Sequence, residues 1–334
     1  MSNHKCLVKR PGEAWTKELV IHMLLNTCST RFYYASPYFG ELYRHDLADR
    51  IQHPSEVGDH HCAAPLGVLV NGKSYFIPGS VDDLILHTSC VAACVEPIVR
   101  SLPTEQQEDL GPPSFAELSQ GFCGDQSSLR AAWTKLNTLV QQRLGGEGGI
   151  IVAADVASCI ATIDLDRLHK LLQESGADHA AVQHLWKMHL FWCRTGCHGL
   201  PLTGSFRLLI KLYLAKVDDR LRREGIIFVR IQDDFRLFCR NKDEAKQACH
   251  VLEEALATCK MRINHKKTVL LQAGRFMSWS LHRQELVRLF SGGVGVPLLT
   301  EMLQLDALRP IALLLIRQRY GHHCWPMPTT TSTL

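Results

Sequence analysis

The chain has 334 residues, 46% of them hydrophobic and 21% charged, and Lys plus Arg outnumber Asp plus Glu by 37 to 33 for a formal charge of +4. That apolar content requires a globular protein with one large or two modest cores. The charge is too mild to mark a nucleic-acid binder by itself, and no run approaches the roughly 18 apolar residues of a membrane span.

The opening MSNHKCLVKR is polar, without a signal-like apolar segment, and the 13 cysteines have no regular spacing. Free thiols in a reducing, cytoplasmic compartment are the expectation. His60, His61 and Cys62 are contiguous, as are His322, His323 and Cys324, while Cys193, Cys197 and His198 lie close together. None has the paired C-x-x-C spacing of a structural zinc site, so scattered core and surface residues are the favoured reading.

Along the chain, Glu13 to Thr27 carries helical spacing, and Leu66 to Pro78 (LGVLVNGKSYFIP) predicts two strands joined at the Asn71-Gly72 turn. Ser80 to Asp83 is an S-x-x-D capping box opening one helix over LILHTSCVAACVEPIVRSL. Pro103 to Ser127 is rich in Pro, Gly and acidic residues and reads as a loop insertion, and SLRAAWTKLNTLVQQRL is a helix that stops at Gly145 and Gly146.

GIIVAADVA is a continuous apolar β run that reaches Asp155. Two helical patterns follow over Leu165 to Leu200, then another over Gly204 to Arg223 with Leu208, Leu209, Leu212, Leu214 and Val217 on its apolar face. IIFVRI, QDD and FRLFC predict strand, turn and strand; a helix over Lys242 to Cys259, a strand pair around Ile263 and Val269, and a last strand GRFMSWSL complete the core. The order predicts an α+β fold, one antiparallel sheet backed by helices, with TTTSTL a low-complexity tail.

Asp233 and Asp234 stand between two apolar strands, where each charge faces desolvation. Adjacent carboxylates raise each other's proton affinity, and a bound dication removes that penalty. Two divalent ions about 3.5 to 4 Å apart, held by hard oxygen ligands, are a common device for phosphoryl transfer. A carboxylate ending one strand and a pair in the turn of a neighbouring hairpin meet that demand; Asp is also a common turn former, and a solvated hairpin turn explains the pair alone equally well.

Several stretches together resemble reverse transcriptases, in that family's order. IIVAADVASCIATIDLDRL resembles the first palm motif, GLPLTGSFRLLIKLYLAKVDDRL the Gly-Leu-Pro motif that contacts template and nucleotide, and FVRIQDDFRLFCRNKDEAKQAC the x-x-Asp-Asp hairpin. MRINHKKTVLL is similar to the Leu-Asn-x-x-Lys-Thr motif, with Ile263, Asn264, Lys267 and Thr268 in matching places, FMSW from Phe276 to the primer grip, and YFIPGSVDD from Tyr75 to a fingers segment. Within the family the hairpin looks nearest to bacterial abortive-infection and defence-associated enzymes, relatives of the group II intron and retron enzymes.

The resemblance implies a right-hand polymerase fold with fingers, palm and a reduced helical thumb: residues 1–148 as N-terminal region and fingers, 149–274 as palm, 275–328 as primer grip and thumb, and 329–334 as tail. It implies an RNA-directed or template-independent DNA polymerase, with a role in antiphage defence. Asp155, Asp233 and Asp234 are the implied catalytic residues, and Asp155, Val156, Asp233 and Asp234 the metal set for two Mg²⁺ ions, Mn²⁺ being the alternative. Lys73, Ile160, Gly199, Leu200, Pro201 and Lys267 would bind nucleotide, and Phe276, Met277 and Trp279 would form the primer grip. Implied partners are an RNA template or non-coding RNA, a DNA product, deoxynucleoside triphosphates, and a second copy or an accessory protein, with no membrane.

The chain departs from the family pattern at Ile160, where an aromatic residue usually crowds the ribose, at Leu202 in place of Gln, and at Asp83 in place of a basic residue. Ile160, Asp83 and the reduced thumb motivate the rival reading of a catalytically degenerate palm serving as an RNA-binding or assembly scaffold. A third reading keeps the palm but changes the chemistry, as in an RNA-dependent RNA polymerase.

Overall fold

The structure, a computed structural model, describes residues 15–28, 47–70, 73–102 and 149–273. The element order is α1 (Lys17–Cys28), α2 (Leu47–Arg50), β1 (Leu66–Val70), β2 (Lys73–Ile77), α3 (Val81–Ala93), α4 (Val95–Ser101), β3 (Ile150–Asp155), α5 (Cys159–Thr162), α6 (Leu165–Glu174), α7 (His179–Arg194), α8 (Phe206–Arg223), β4 (Ile227–Ile231), β5 (Asp234–Cys239), α9 (Lys242–Thr258) and β6 (Val269–Gln272). This is an α+β arrangement with antiparallel sheets. The expected loop over 103–127, the helix before Gly145, the strand GRFMSWSL and the tail lie outside the described residues.

Among the described residues two sheets form where a single one is expected from the pattern. One is the β1–β2 hairpin, and the other has strand order β4-β5-β3-β6 with every pairing antiparallel. In the larger sheet Val152, Ala154, Phe235, Leu237 and Cys239 turn to a common helix-backed core, while Asp155 and Asp234 fall on the other face by strand alternation. Leu208, Leu209, Leu212, Leu214 and Val217 of α8 are all buried in that core, each contributing about 2 kcal/mol of burial energy.

Local chemistry accounts for the element ends. Asp164, Asp178 and Asn241 cap α6, α7 and α9 by accepting from backbone N–H groups of the first turn. Ser80 likewise accepts from the Asp83 N–H, but only this half of the expected capping box forms, because the Asp83 carboxylate turns away to His60 and the Ala63 N–H. The single helix expected after Ser80 is two: Pro97 has no N–H to offer the Ala93 carbonyl, and α3 ends there.

The stretch Val81–Ser101 is 21 residues long and apolar enough to cross a membrane by length and composition, contrary to the expectation that no run qualifies. It is 67% buried inside the fold and broken at Cys94, as befits core helices. Nor do strands pair around Ile263 and Val269. Ile263 makes an isolated bridge to Val156, and β6 pairs instead with β3.

A buried polar chain crosses the helical layer. His87 Nε2 of α3 lies 3.2 Å from His189 Nε2 of α7, and Ser205 Oγ stands 3.4 Å from His87 Nδ1 and 2.7 Å from Thr203 Oγ1. One imidazole donates and the other accepts, an arrangement that two neutral rings satisfy. Burial holds His87 well below its ordinary pKa, with His189 as a secondary cause, and takes His189 down to about 3, with His169 as a secondary cause.

In the unfolded chain both histidines titrate near the ordinary 6.5, so below that pH the unfolded state binds more protons. Stability is therefore full above about 6.5 and falls as pH drops toward the folded-state values, with a slope of up to about 1.4 kcal/mol per pH unit for each ring. Urea unfolding at pH 7.5 and pH 5 should show His189→Gln losing less on acidification than the parent chain. Equal losses in the two proteins would refute a neutral buried pair.

Candidate active site

The site is assembled by strand register. Asp155 closes β3 and pairs directly with Asp234, the first residue of β5, while Ile231 of β4 pairs with Asp234 on the other side. Directly opposed residues in an antiparallel pair have Cβ atoms about 4.5 to 5.5 Å apart, so the two carboxylates share one spot on one face. Asp234 is thus a strand residue, where the sequence suggests a turn. The tight turn consists of Gln232 and Asp233 alone, and the Asp233 carbonyl accepts from the Val156 N–H at 3.2 Å. The chain thereby brings Asp155, Asp233 and Asp234 together.

A second loop braces the first carboxylate. The Asn264 N–H donates to the Asp155 carbonyl at 2.7 Å, and Asn264 Nδ2 donates to Asp155 Oδ2 at 2.8 Å. The Asn264 carbonyl in turn accepts from the N–H groups of Lys267 and Thr268 and from the Thr268 hydroxyl. This closed turn carries Lys267 Nζ to 3.2 Å from Asp155 Oδ2, with the Lys267 side chain 60% exposed against 15% for Asp155. Arg236 Nη1 lies 3.7 Å from Asp234 Oδ1.

The local electrostatics are those of a carboxylate cluster short of cations. Burial, with the Asp234 charge next and Asp155 after it, pushes the Asp233 carboxyl up to about 6 despite the opposing pull of Lys267. Burial also raises the Tyr75 phenol on β2, and the charges of Asp233 and Asp155 push it the same way. Tyr75 is thus within electrostatic reach of the cluster.

The remaining residues expected at the site are distributed as follows. Gly199 has φ +80°, and a Cβ on it would meet the Ile160 carbonyl oxygen at 2.1 Å, so glycine is required where this loop crosses α5. The Leu200 N–H donates to that same carbonyl, and the Leu202 N–H donates to the Phe76 carbonyl of β2. Ile160, Gly199, Leu200 and Pro201 are therefore adjacent. The Leu200, Pro201 and Val156 side chains are buried, which leaves their backbones as the groups able to touch a ligand. Lys73 opens β2 with its side chain outside the described residues, as are Phe276, Met277 and Trp279.

Sequence reasoning passes over the groups that hold the hairpin. Arg230, buried in β4, donates from Nε to Asp218 Oδ1 at 3.0 Å and from Nη2 to Asp218 Oδ2 at 2.6 Å; its Nη1 donates to the Gln232 carbonyl at 2.7 Å. A two-pronged ion pair between α8 and β4 thus grips the turn that carries Asp233. The signal was there: an arginine inside the apolar run IIFVRI needs a buried partner.

No family model matches the chain, and no curated protein matches it. Among solved structures it is similar to telomerase from Candida albicans in complex with the TWJ fragment of telomeric RNA, at 12% identity and a TM-score of 0.38, covering 55% of this chain and 34% of that one. It is similar also to apo telomerase from Candida tropicalis truncated from its C-terminal domain, at 10% identity and a TM-score of 0.39, covering 62% of this chain and 49% of that one. The chain spans between a third and a half of those proteins' lengths.

Removing one side of the buried pair leaves a charge in the core without its counter-ion. Arg230→Met should cost about 3 to 5 kcal/mol in chemical denaturation, and Arg230→Lys should also lose stability because an ammonium cannot fork. Combining Arg230→Met with Asp218→Leu should recover much of that loss. A single Arg230→Met variant as stable as the parent would show that the pair does not hold the hairpin.

Proposed function

We propose that the chain is a metal-dependent nucleotidyltransferase of the reverse-transcriptase kind, adding deoxynucleotides to a hydroxyl primer. The observation that carries this reading is the pairing of Asp155 with Asp234 beside the Asp233 turn, with Asn264 and Lys267 on the same carboxylate. Three hard oxygen donors at one point, one of them held protonated up to about 6 by burial and by its acidic neighbours, fit divalent cations. Mg²⁺ is the proposed ion and Asp155, Asp233 and Asp234 its ligands. Bound there, a pair of such ions supplies charge neutralisation at the attacking and leaving oxygens of an in-line displacement.

The chain's own groups do the positioning. Asn264 fixes the rotamer of Asp155 through Oδ2, and Arg230 fixes the turn that presents Asp233. The ammonium of Lys267, mostly exposed beside Asp155, is disposed to meet the departing phosphates. Gly199 to Pro201, pinned to Ile160 and through Leu202 to Phe76, form the neighbouring wall where the nucleotide would lie. Positioning and charge stabilisation of this sort supply most of the rate in phosphoryl transfer.

The motif order extends the proposal to a palm flanked by fingers and a reduced thumb, to an RNA template or non-coding RNA as partner, and to a role in bacterial antiphage defence. The test is incorporation of labelled deoxynucleotides by the purified full chain with Mg²⁺, with and without an RNA template and primer. Asp233→Ala and Asp155→Ala should lower incorporation by at least about 100-fold, since loss of even an outer-shell partner of a metal commonly costs 10- to 100-fold. Parent-like incorporation by a folded Asp233→Ala protein would overturn the assignment. Tight RNA binding without Mg²⁺-dependent incorporation by the parent chain would favour the scaffold instead.

A further inference from the structure

The segment before β1 and the start of α3 meet at a cluster that the nucleotidyltransferase reading does not use. His60, Cys62 and Asp83 each offer one ligand atom, and these atoms lie within 4.8 Å of one another. His60 Nε2 is 2.6 Å from Asp83 Oδ1, and Asp83 Oδ2 accepts from the Ala63 N–H at 2.9 Å. Asp83 is fully buried, whereas His60 and Cys62 are half-buried. The contiguous His60, His61 and Cys62 lack zinc spacing in the sequence; the fold adds the third ligand from more than twenty residues away.

We propose that His60, Cys62 and Asp83 bind a zinc ion that clips the loop ahead of the β1–β2 hairpin to the first turn of α3.

The donor set selects the metal. A mixed nitrogen, sulfur and oxygen trio suits the borderline-soft Zn²⁺, whereas Mg²⁺ and Ca²⁺ take hard oxygens and reject a thiol. With metal–ligand distances of about 2.0 to 2.3 Å in a tetrahedron, donor atoms stand about 3.3 to 3.6 Å apart. Closure therefore needs the His60–Asp83 contact to open by under about 1 Å and Cys62 to draw in by at most about 1.5 Å. The half-buried side leaves room for a water as fourth ligand.

Two features make this a built site. The Asp83 oxygen that accepts from Ala63 is oriented by the backbone, as the outer partners of ligating carboxylates are. A Cβ at Gly79 would stand 1.9 Å from the Ala64 carbonyl oxygen, so the ligand-bearing loop is pressed directly on the segment leading into α3. Binding exchanges the thiol proton, released to solvent, for a sulfur–zinc bond, and no electrons are transferred.

The clip has a place in the larger architecture. Residues 57–65 have no regular secondary structure, yet they lead into the hairpin whose Phe76 carbonyl holds Leu202 and whose Tyr75 lies within electrostatic reach of the carboxylates. A metal tie at the base of that hairpin fixes one wall of the site without touching the reacting atoms.

The test uses the full chain stripped with chelator, reloaded with Zn²⁺ or Co²⁺, and freed of excess metal. The parent protein should retain zinc and unfold at a higher temperature with it, and its cobalt form should show a thiolate charge-transfer band. Cys62→Ser should lose that band, and both Cys62→Ser and His60→Gln, chosen because serine is isosteric and glutamine can still donate to Asp83, should bind zinc at least about tenfold more weakly and lose the thermal shift. A parent chain that takes up no zinc, or variants whose zinc content, cobalt spectrum and thermal shift match the parent's, would overturn the proposal.

Discussion

The antiparallel register of β3 against β5 is the constraint on which the site depends. It sets two like charges, Asp155 and Asp234, directly opposite one another, an arrangement that disfavours pairing by about 0.2 to 1 kcal/mol. What holds the register is the other face of the same strands, where Val152, Phe235 and Leu237 are buried at about 2 kcal/mol each and Ala154 adds a smaller share. Core burial outweighs the repulsion several-fold. A slip of one residue would turn Asp155 into the helix-backed core and Ala154 outward, so the alternation that makes the core also delivers the carboxylates to the opposite face.

The charge balance of that face follows from where the arginines go. Arg230 lies in the strand next to Asp234, yet it turns inward to pair with Asp218, and it serves the site through its grip on the Gln232 carbonyl. Lys267 contacts Asp155 but is largely in solvent, where screening weakens an ion pair. Arg236 stands off from Asp234 at 3.7 Å. The cluster therefore keeps an excess of negative charge, which adds to burial in raising the Asp233 carboxyl and the Tyr75 phenol. Such an excess is a standing cost to folding that cation binding relieves, which is why the electrostatics and the proposed chemistry point the same way.

Much of this was legible in the sequence wherever a periodic pattern met a chemical oddity. The apolar run into Asp155, the strand signal on both sides of Gln232, and the Asn71-Gly72 hairpin signal all correspond to elements of the fold. Legibility fails where the outcome depends on long-range partners. Asp233 and Asp234 look equivalent in sequence, but pairing with β3 makes one a turn residue and the other a strand residue. The helix over 81–101 breaks because Pro97 lacks the donor that Ala93 needs, a local rule that its apolar continuity obscured. Asp83 reads as half of a capping box, and only the tertiary arrival of His60 and Ala63 shows what its carboxylate does instead. Arg230 and Asp218, twelve residues apart on a strand and a helix, leave no motif at all.

Backbone strain sorts the site from the scaffold. Among the described residues, Ser158, Gln232 and Lys260 are the non-glycine positions with positive φ. Lys260 follows α9 closely, where a left-handed residue is an ordinary way to stop a helix. Gln232 is the first residue of a two-residue hairpin turn, where a positive φ is the usual geometry, and Ser158 directly precedes α5; a non-glycine residue held in that region costs about 1 to 3 kcal/mol. Both are over-determined by their surroundings: the Ser158 carbonyl accepts from the Ala161 and Thr162 N–H groups and the Thr162 hydroxyl, and the Gln232 carbonyl from Arg230. One follows Asp155 by three residues and the other precedes Asp233 by one. Strain confined to the two segments that carry the carboxylates, and clamped there by hydrogen bonds, yields ligands fixed before any ion arrives, and that pre-organisation distinguishes a site from a cluster of acids that merely share a surface.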